Sequence, residues 1–245
     1  AALVRGLTDQ GADVLDIGLV STDMFYYACG SQNLPGITVT ASHNPKEYNG
    51  FKLVRLMPDL VSGEKIRDLV LAGNFPASVK KGTVAPFDIK AGYKEKILSL
   101  IDIKNLKPKK IVIDPANGLG GLAWDLVTKN LLVDTVPLFF EPDGNFPNHG
   151  GDPLKAENRA DLEKKVPEVK ADFGFAIDTD GDRLFAVDEN GQYLPSDFLG
   201  ALLTQYLIKR HNHGTIVHDI IMGWAVRDLV ASSGGKTFTS RVGHV

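Results

Sequence analysis

The sequence predicts an α/β protein made of successive units with mixed, mainly parallel sheets. Three observations lead there. Short apolar runs alternate with longer stretches of helical spacing, turn-forming residues collect at two joints, and 43% of the 245 residues are hydrophobic, enough to bury a core. The 27 Lys and Arg nearly balance the 30 Asp and Glu, so a net charge of -3 gives no electrostatic reason to expect nucleic acid or an anionic membrane as partner. No apolar run approaches the roughly 20 residues of a membrane span. The single cysteine, Cys29, excludes an internal disulfide and fits a reducing, cytoplasmic setting.

The opening Ala1-Ala2-Leu3-Val4-Arg5-Gly6-Leu7 reads as the interior of a helix, with no capping residue before it. Buried strands are expected at residues 14–20, 36–40, 111–114, 133–140, 172–177, 184–188 and 215–218, where apolar residues run together. Helices are expected at 63–72, 93–100, 122–130, 159–166, 198–209 and 225–231. A last strand falls at 236–240, and its unpaired backbone makes the chain read as a piece of a longer protein. Joints at 74–88 (Pro76, Gly82, Pro86) and 189–197 (Gly191, Pro195) divide it into units 1–86, 87–192 and 193–245, the first and last incomplete. No internal repeat stands out at residue level.

Three loops are candidates for chemistry. Thr40-Ala41-Ser42-His43-Asn44-Pro45 follows an apolar strand, the place where α/β proteins put ligands. Asn44-Pro45 restricts the backbone, and the tight turn Asn49-Gly50 feeds Phe51-Lys52 back toward Ser42. The string fits an activated or phosphorylated serine with a cation nearby, and equally a polar loop in which Ser42 caps a turn.

In Asp178-Thr179-Asp180-Gly181-Asp182-Arg183, again after an apolar strand, three carboxylates repel one another unless a cation or strong hydrogen bonds neutralise them. An all-oxygen set suits Mg²⁺, and Arg183 suits a phosphate. With Glu189 the spacing imitates a calcium-binding EF-hand loop. Arg183 stands where that loop needs glycine, however, and the flanks read as strands, so this reading is rejected. A strand followed by Asp-x-Asp-Gly also resembles the aspartyl phosphatases of the haloacid-dehalogenase kind, with Asp178 as nucleophile.

The third loop, Asn117-Gly118-Leu119-Gly120-Gly121-Leu122-Ala123, has the spacing of a dinucleotide fingerprint. Pro115, Ala116 and Asn117 intervene after the strand, which favours a plain strand-to-helix turn. His211 and His213 are weak evidence for zinc, and His218 reads as a strand residue.

Taken together, the serine loop with Asn49-Gly50-Phe51-Lys52 and the aspartate loop resemble the α-D-phosphohexomutases. Pro142-Asp143-Gly144-Asn145-Phe146-Pro147-Asn148-His149, then Asp152-Pro153-Leu154 and Glu157-Asn158, resemble the phosphomannomutase/phosphoglucomutase branch. The resemblance runs from residue 3 to residue 244. It implies a four-domain enzyme, of which this chain carries the latter part of the first domain, the second and the opening of the third. It implies that Ser42 carries a transferable phosphoryl group and that Asp178, Asp180 and Asp182 bind Mg²⁺, an oxygen of phosphorylated Ser42 completing the site. His43 and Lys52 then belong to the active-site loop, Lys52 for proton transfer or for holding charge, and Arg183 positions the phosphoryl group. Arg241, Gly243 and His244 match a stretch that touches sugar phosphate. The implied partners are hexose phosphates, with a hexose 1,6-bisphosphate as intermediate and activator.

The departures are Thr179 where Gly is commoner, Arg159 where Leu is usual, and Ile221 about where a basic contact is common. The start of domain one, the sugar-specificity loop and the fourth domain lie outside the matched segments. The 245 residues alone are therefore expected not to turn over.

Overall fold

Residues 1–75, 78, 80–211 and 214–242 are described by a computed structural model. His213, Gly243 and His244 lie outside the described residues. The apolar opening forms α1 (Ala2–Asp9), which leads into β1 (Val14–Asp16). Next comes α2 (Thr22–Gln32), a helix whose apolar residues keep no clear period. Met24, Phe25, Ala28 and Cys29 bury one side of it while Tyr26 and Tyr27 pack partly on the other, so no clean apolar stripe forms. Asn33 ends it in the left-handed conformation, φ 51°.

β2 (Gly36–Val39) then pairs antiparallel with β3 (Phe51–Leu56), and β4 (Asp59–Leu60) folds back on β3 to give a three-stranded sheet. After α3 (Gly63–Ala72), β5 (Val84–Pro86) pairs parallel with β1 in a separate two-stranded sheet. α4 (Lys90–Ser99) follows.

The second sheet is the continuous one. β6 (Lys109–Asp114), α5 (Gly120–Thr128), β7 (Val133–Pro137), α6 (Ala160–Glu168) and β8 (Phe173–Ile177) form two strand–helix–strand steps that set β7 and β8 parallel on either side of β6. β9 (Leu184–Val187) returns antiparallel on β8, and β10 (Tyr193–Leu194) antiparallel on β9. Leu162 and Val166 of α6 pack on Val112 of β6 and Val187 of β9, all four 0% exposed, each contributing about 1.5–3 kcal/mol by burial.

α7 (Ser196–His211), β11 (Thr215–Asp219), α8 (Trp224–Ser232) and β12 (Lys236–Ser240) complete the described chain, with β11 and β12 parallel. No described helix is long and apolar enough to cross a membrane.

What positions the site is the seam between the first two units. Ala123, Leu126 and Val127 of α5 pack on the cluster that holds Phe25 of α2 and Tyr93 of α4. Above that seam two hairpins of equivalent connectivity face each other. The β2–β3 connection holds residues 40–50, and the β8–β9 connection holds 178–183.

Candidate functional site

The aspartate loop leaves a buried strand and turns at once, with Gly181 supplying the positive φ of 80° that the turn needs. Asp178 is 0% exposed. Its Oδ1 accepts the backbone N–H groups of Asp182 (3.1 Å) and Arg183 (3.0 Å), and its Oδ2 accepts Nε of Arg183 (2.8 Å). Burial, then the neighbouring charges of Asp180 and Asp182, push its carboxyl up to about 6 against the pull of Arg183.

Asp180 sits at the centre. Its Oδ2 accepts Lys52 Nζ (2.8 Å), Thr22 Oγ1 (3.0 Å) and Thr40 Oγ1 (3.1 Å). Burial alone would raise its pKa, but the Lys52 ammonium and these hydroxyls outweigh it and hold the carboxyl low. Lys52 also reaches Asp182 Oδ2 at 2.7 Å. Burial works against its charge too, yet the two carboxylates win and keep the ammonium charged above its ordinary range. The three aspartates each offer an oxygen within 4.8 Å of the others, an all-oxygen donor set that fits a hard divalent cation such as Mg²⁺.

Ser42 adopts the left-handed conformation, φ 50°, unusual for a residue with a side chain. Its Oγ donates to Asp180 Oδ1 at 3.2 Å, lies 3.2 Å from His43 Nδ1 and accepts from Arg183 Nη2 at 3.4 Å. Arg183 Nη2 also bonds His43 Nδ1. The hydroxyl thus meets the central carboxylate, an imidazole and a guanidinium together. The hairpin return brings Lys52 to the carboxylates that hold Ser42, so the two groups are linked through Asp180.

The glycine-rich loop braces the aspartate loop. A β-carbon at Gly118 would stand 2.4 Å from the Thr179 α-carbon, and Leu119 N–H donates to the Thr179 carbonyl at 2.8 Å. At the start of α5, a β-carbon at Gly120 would meet Ile177 Cγ2 at 2.6 Å, so this end packs on the sheet where a nucleotide site needs open approach. The strand-to-helix turn is the reading that fits. Behind it His149 Nε2 meets the buried Asp114 Oδ2 at 3.0 Å, which ties down the 142–152 segment. A cavity of about 420 Å³ opens beside Ser42, lined by Thr40, Asn44, Lys46, Asn117 and Asp143 among others.

Ser42, His43, Lys52, Asp178, Asp180, Asp182 and Arg183 are therefore brought together from two units. Arg241 is exposed after β12 and has no bond to this cluster, and Gly243 and His244 lie outside the described residues. His211 is exposed at the end of α7, while His218 is buried, with Nδ1 2.7 Å from the Asp219 carbonyl and Nε2 3.4 Å from Thr239 Oγ1 across the strands. Strands on both sides of the aspartates are consistent with rejecting the EF-hand. Arg159 is buried over the Tyr193 ring (4.0 Å) with Nη1 on the Pro153 carbonyl (2.6 Å), and Ile221 is 72% exposed.

Sequence reasoning missed Thr22 and Thr40 as partners of Asp180. The run Ser21-Thr22-Asp23 carried a signal, because such residues mark a helix start.

The family model described as phosphoglucomutase/phosphomannomutase, alpha/beta/alpha domain I, matches residues 1–66, and that for domain II matches residues 91–191. A phosphomannomutase of Salmonella montevideo is 38% identical over 255 residues, covering 99% of this chain and 56% of its own length. A protein named for phosphohexose mutases in Xanthomonas campestris pv. campestris (strain B100) is 39% identical over 248 residues, covering 99% of this chain and 55% of its own. Among solved structures, a phosphoglucomutase/phosphomannomutase family protein from Burkholderia thailandensis superposes with a TM-score of 0.90 at 33% identity, over 99% of this chain and 55% of that one. A Paramecium phosphoglucomutase at 21% identity shares the fold (TM-score 0.72, 94% of this chain, 50% of that one). The chain spans about half the length of the relatives it matches.

Proposed function

The chain belongs to the phosphoglucomutase/phosphomannomutase family, and from that premise we propose that its site carries the phosphoryl group in an interconversion of hexose 1-phosphates and hexose 6-phosphates, of mannose or glucose. One observation supports this most directly. Ser42 Oγ lies 3.2 Å from Asp180 although 138 residues separate them.

In the proposed cycle the bond from phosphorus to Ser42 Oγ breaks as a sugar oxygen bonds to phosphorus. The sugar hydroxyl gives its proton to a base, and Ser42 regains a hydroxyl proton. The resulting hexose 1,6-bisphosphate turns over and returns its other phosphoryl group to Ser42. Such a transfer needs in-line positioning and neutralised charge more than covalent chemistry. Arg183 and Lys52 bring positive charge to the phosphoryl position, Arg183 directly at Oγ and Lys52 through Asp180. Asp178, Asp180, Asp182 and a phosphoserine oxygen would hold Mg²⁺, which would supply the remaining neutralisation. Charged Lys52, tied to two carboxylates, suits holding charge better than accepting a proton.

An aspartyl phosphatase built on Asp178 is disfavoured, because that carboxylate is fully buried with both oxygens already bound. We assign residues 1–86 and 87–192 to the units carrying the two loops, and 193–245, with Arg241, Gly243 and His244, to sugar-phosphate contacts. Turnover is proposed to need residues beyond these 245, in a cytoplasmic enzyme.

The test is phosphate uptake. After incubation of the longer protein that carries these residues with glucose 1,6-bisphosphate and Mg²⁺, intact mass should show one added phosphate, mapped by peptides to Ser42 and absent from Ser42→Ala. Label on Asp178 that hydroxylamine releases would overturn the reading.

A further inference from the structure

We propose that Thr179 is a positioning residue whose hydroxyl, supplied by the second unit, locks the Ser42 backbone in the conformation that aims Oγ at Asp180. The proposal rests on the reading of Ser42 as the phosphoryl carrier. At φ 50° Ser42 holds a conformation that a residue with a β-carbon leaves readily unless its surroundings fix it. Rotation about φ would swing the hydroxyl away from the carboxylate it now meets.

Two bonds oppose that rotation. On one side Ser42 N–H donates to Thr40 Oγ1 at 2.9 Å, and the Thr40 hydroxyl donates onward to Asp180 Oδ2 at 3.1 Å. On the other side Thr179 Oγ1 donates to the Ser42 carbonyl at 2.5 Å. The peptide groups flanking Ser42 therefore both end on threonine hydroxyls.

The two threonines are not equivalent. Thr40 belongs to the serine loop and moves with it. Thr179 is 7% exposed and held by its surroundings: its carbonyl accepts Leu119 N–H at 2.8 Å, its α-carbon lies against Gly118, and its methyl lies against Gly151, where a β-carbon would stand 2.2 Å away. A donor fixed in this way cannot follow the loop, so it defines where the Ser42 carbonyl must be. The Thr179 hydroxyl bonds the carbonyl of Ser42, not its Oγ and not a carboxylate, so it acts through the backbone alone.

The test compares the full chain with Thr179→Val, which keeps the shape and loses the donor, and Thr179→Ser, which keeps the donor. Hydrogen exchange read by mass spectrometry should be about tenfold faster at the amides of Ser42 and Asn44 in Thr179→Val, the factor expected for one lost hydrogen bond, and should return to within about threefold of the parent in Thr179→Ser. Exchange at the Asp182 amide, held by Asp178 within its own loop, should stay as in the parent in both. The rate of phosphate uptake by Ser42 from glucose 1,6-bisphosphate should fall about tenfold in Thr179→Val at unchanged half-saturation, and Thr179→Ser should restore it. Parent-like exchange and uptake in Thr179→Val, or a Thr179→Ser variant that behaves like the valine, would overturn the proposal. If the parent itself takes no phosphate at Ser42, the carrier reading falls, and the exchange comparison still decides the tie.

Discussion

The first two units differ in how their described strands pair. In the second, β6 lies between β7 and β8, and Val112 and Ile113 on it are 0% exposed. In the first, β1 pairs with β5 and β3 lies between β2 and β4, and among the described residues no strand joins the two sheets. A cavity of about 450 Å³ is lined by Val14 and Leu15 of β1, Phe25 and Cys29 of α2, Ile37 of β2 and Leu53 of β3 among others. The loops are held by different means: N–H groups of Asp182 and Arg183 bond Asp178 within the aspartate loop, while Ser42 meets Asp180, Thr179 and Arg183 of that loop, and Asp180 in turn is held by Thr22, Thr40, Ser42 and Lys52.

The sharpest break of that comparison is Ser42→Ala. Phosphate uptake should drop below detection, while exchange at the Asp182 amide stays as in the parent. A loosened aspartate loop would show that its order depends on the serine loop.

Next in size are the cores. Leu162→Ala, at 0% exposure, should cost about 2–5 kcal/mol in a denaturant titration, and Leu53→Ala, beside the cavity, clearly less. Equal losses would mean that the first unit packs as tightly as the second. Asp180→Asn should weaken Mn²⁺ binding, followed by electron paramagnetic resonance, by more than about tenfold, and should speed exchange in residues 40–44 more than in 178–183.

The smallest effect concerns pH. Burial pulls His149 down, but the hydrogen bond and charge of Asp114 prevail and raise it above its ordinary value. A raised imidazole stabilises the fold fully below about pH 6.5, and that contribution fades as pH climbs through its folded value. Stability should thus decline from pH 6 to 8 in the parent and decline less in His149→Gln. Identical slopes would remove this strap from the list of what stiffens the second unit.

Much of the site was legible because a strand that runs straight into a polar loop is a strong local signal. Residues 36–39 announced Ser42, and residues 173–177 announced the three aspartates. The meeting of the two loops followed only from resemblance, since no local pattern encodes a contact across 138 residues. α2 escaped because it is apolar on more than one side, and β3 because its apolar positions are broken by Lys52 and Arg55. Thr22, Thr40 and Thr179 escaped for a different reason. A hydroxyl leaves no charge or periodicity to read, and its importance depends wholly on which partner the fold supplies.

The helices under the two hairpins carry a consequence of their own. Because α5 rests on the cluster of Phe25 and Tyr93, a slip of that joint would part Ser42 from Asp180 with every loop residue still present. Circular dichroism would report a healthy protein, and only a ruler across the joint, such as a spin-label pair, would reveal a silent one. Changes at Ala123 or Val127 are therefore expected to lower phosphate uptake at Ser42 with the loops themselves unchanged.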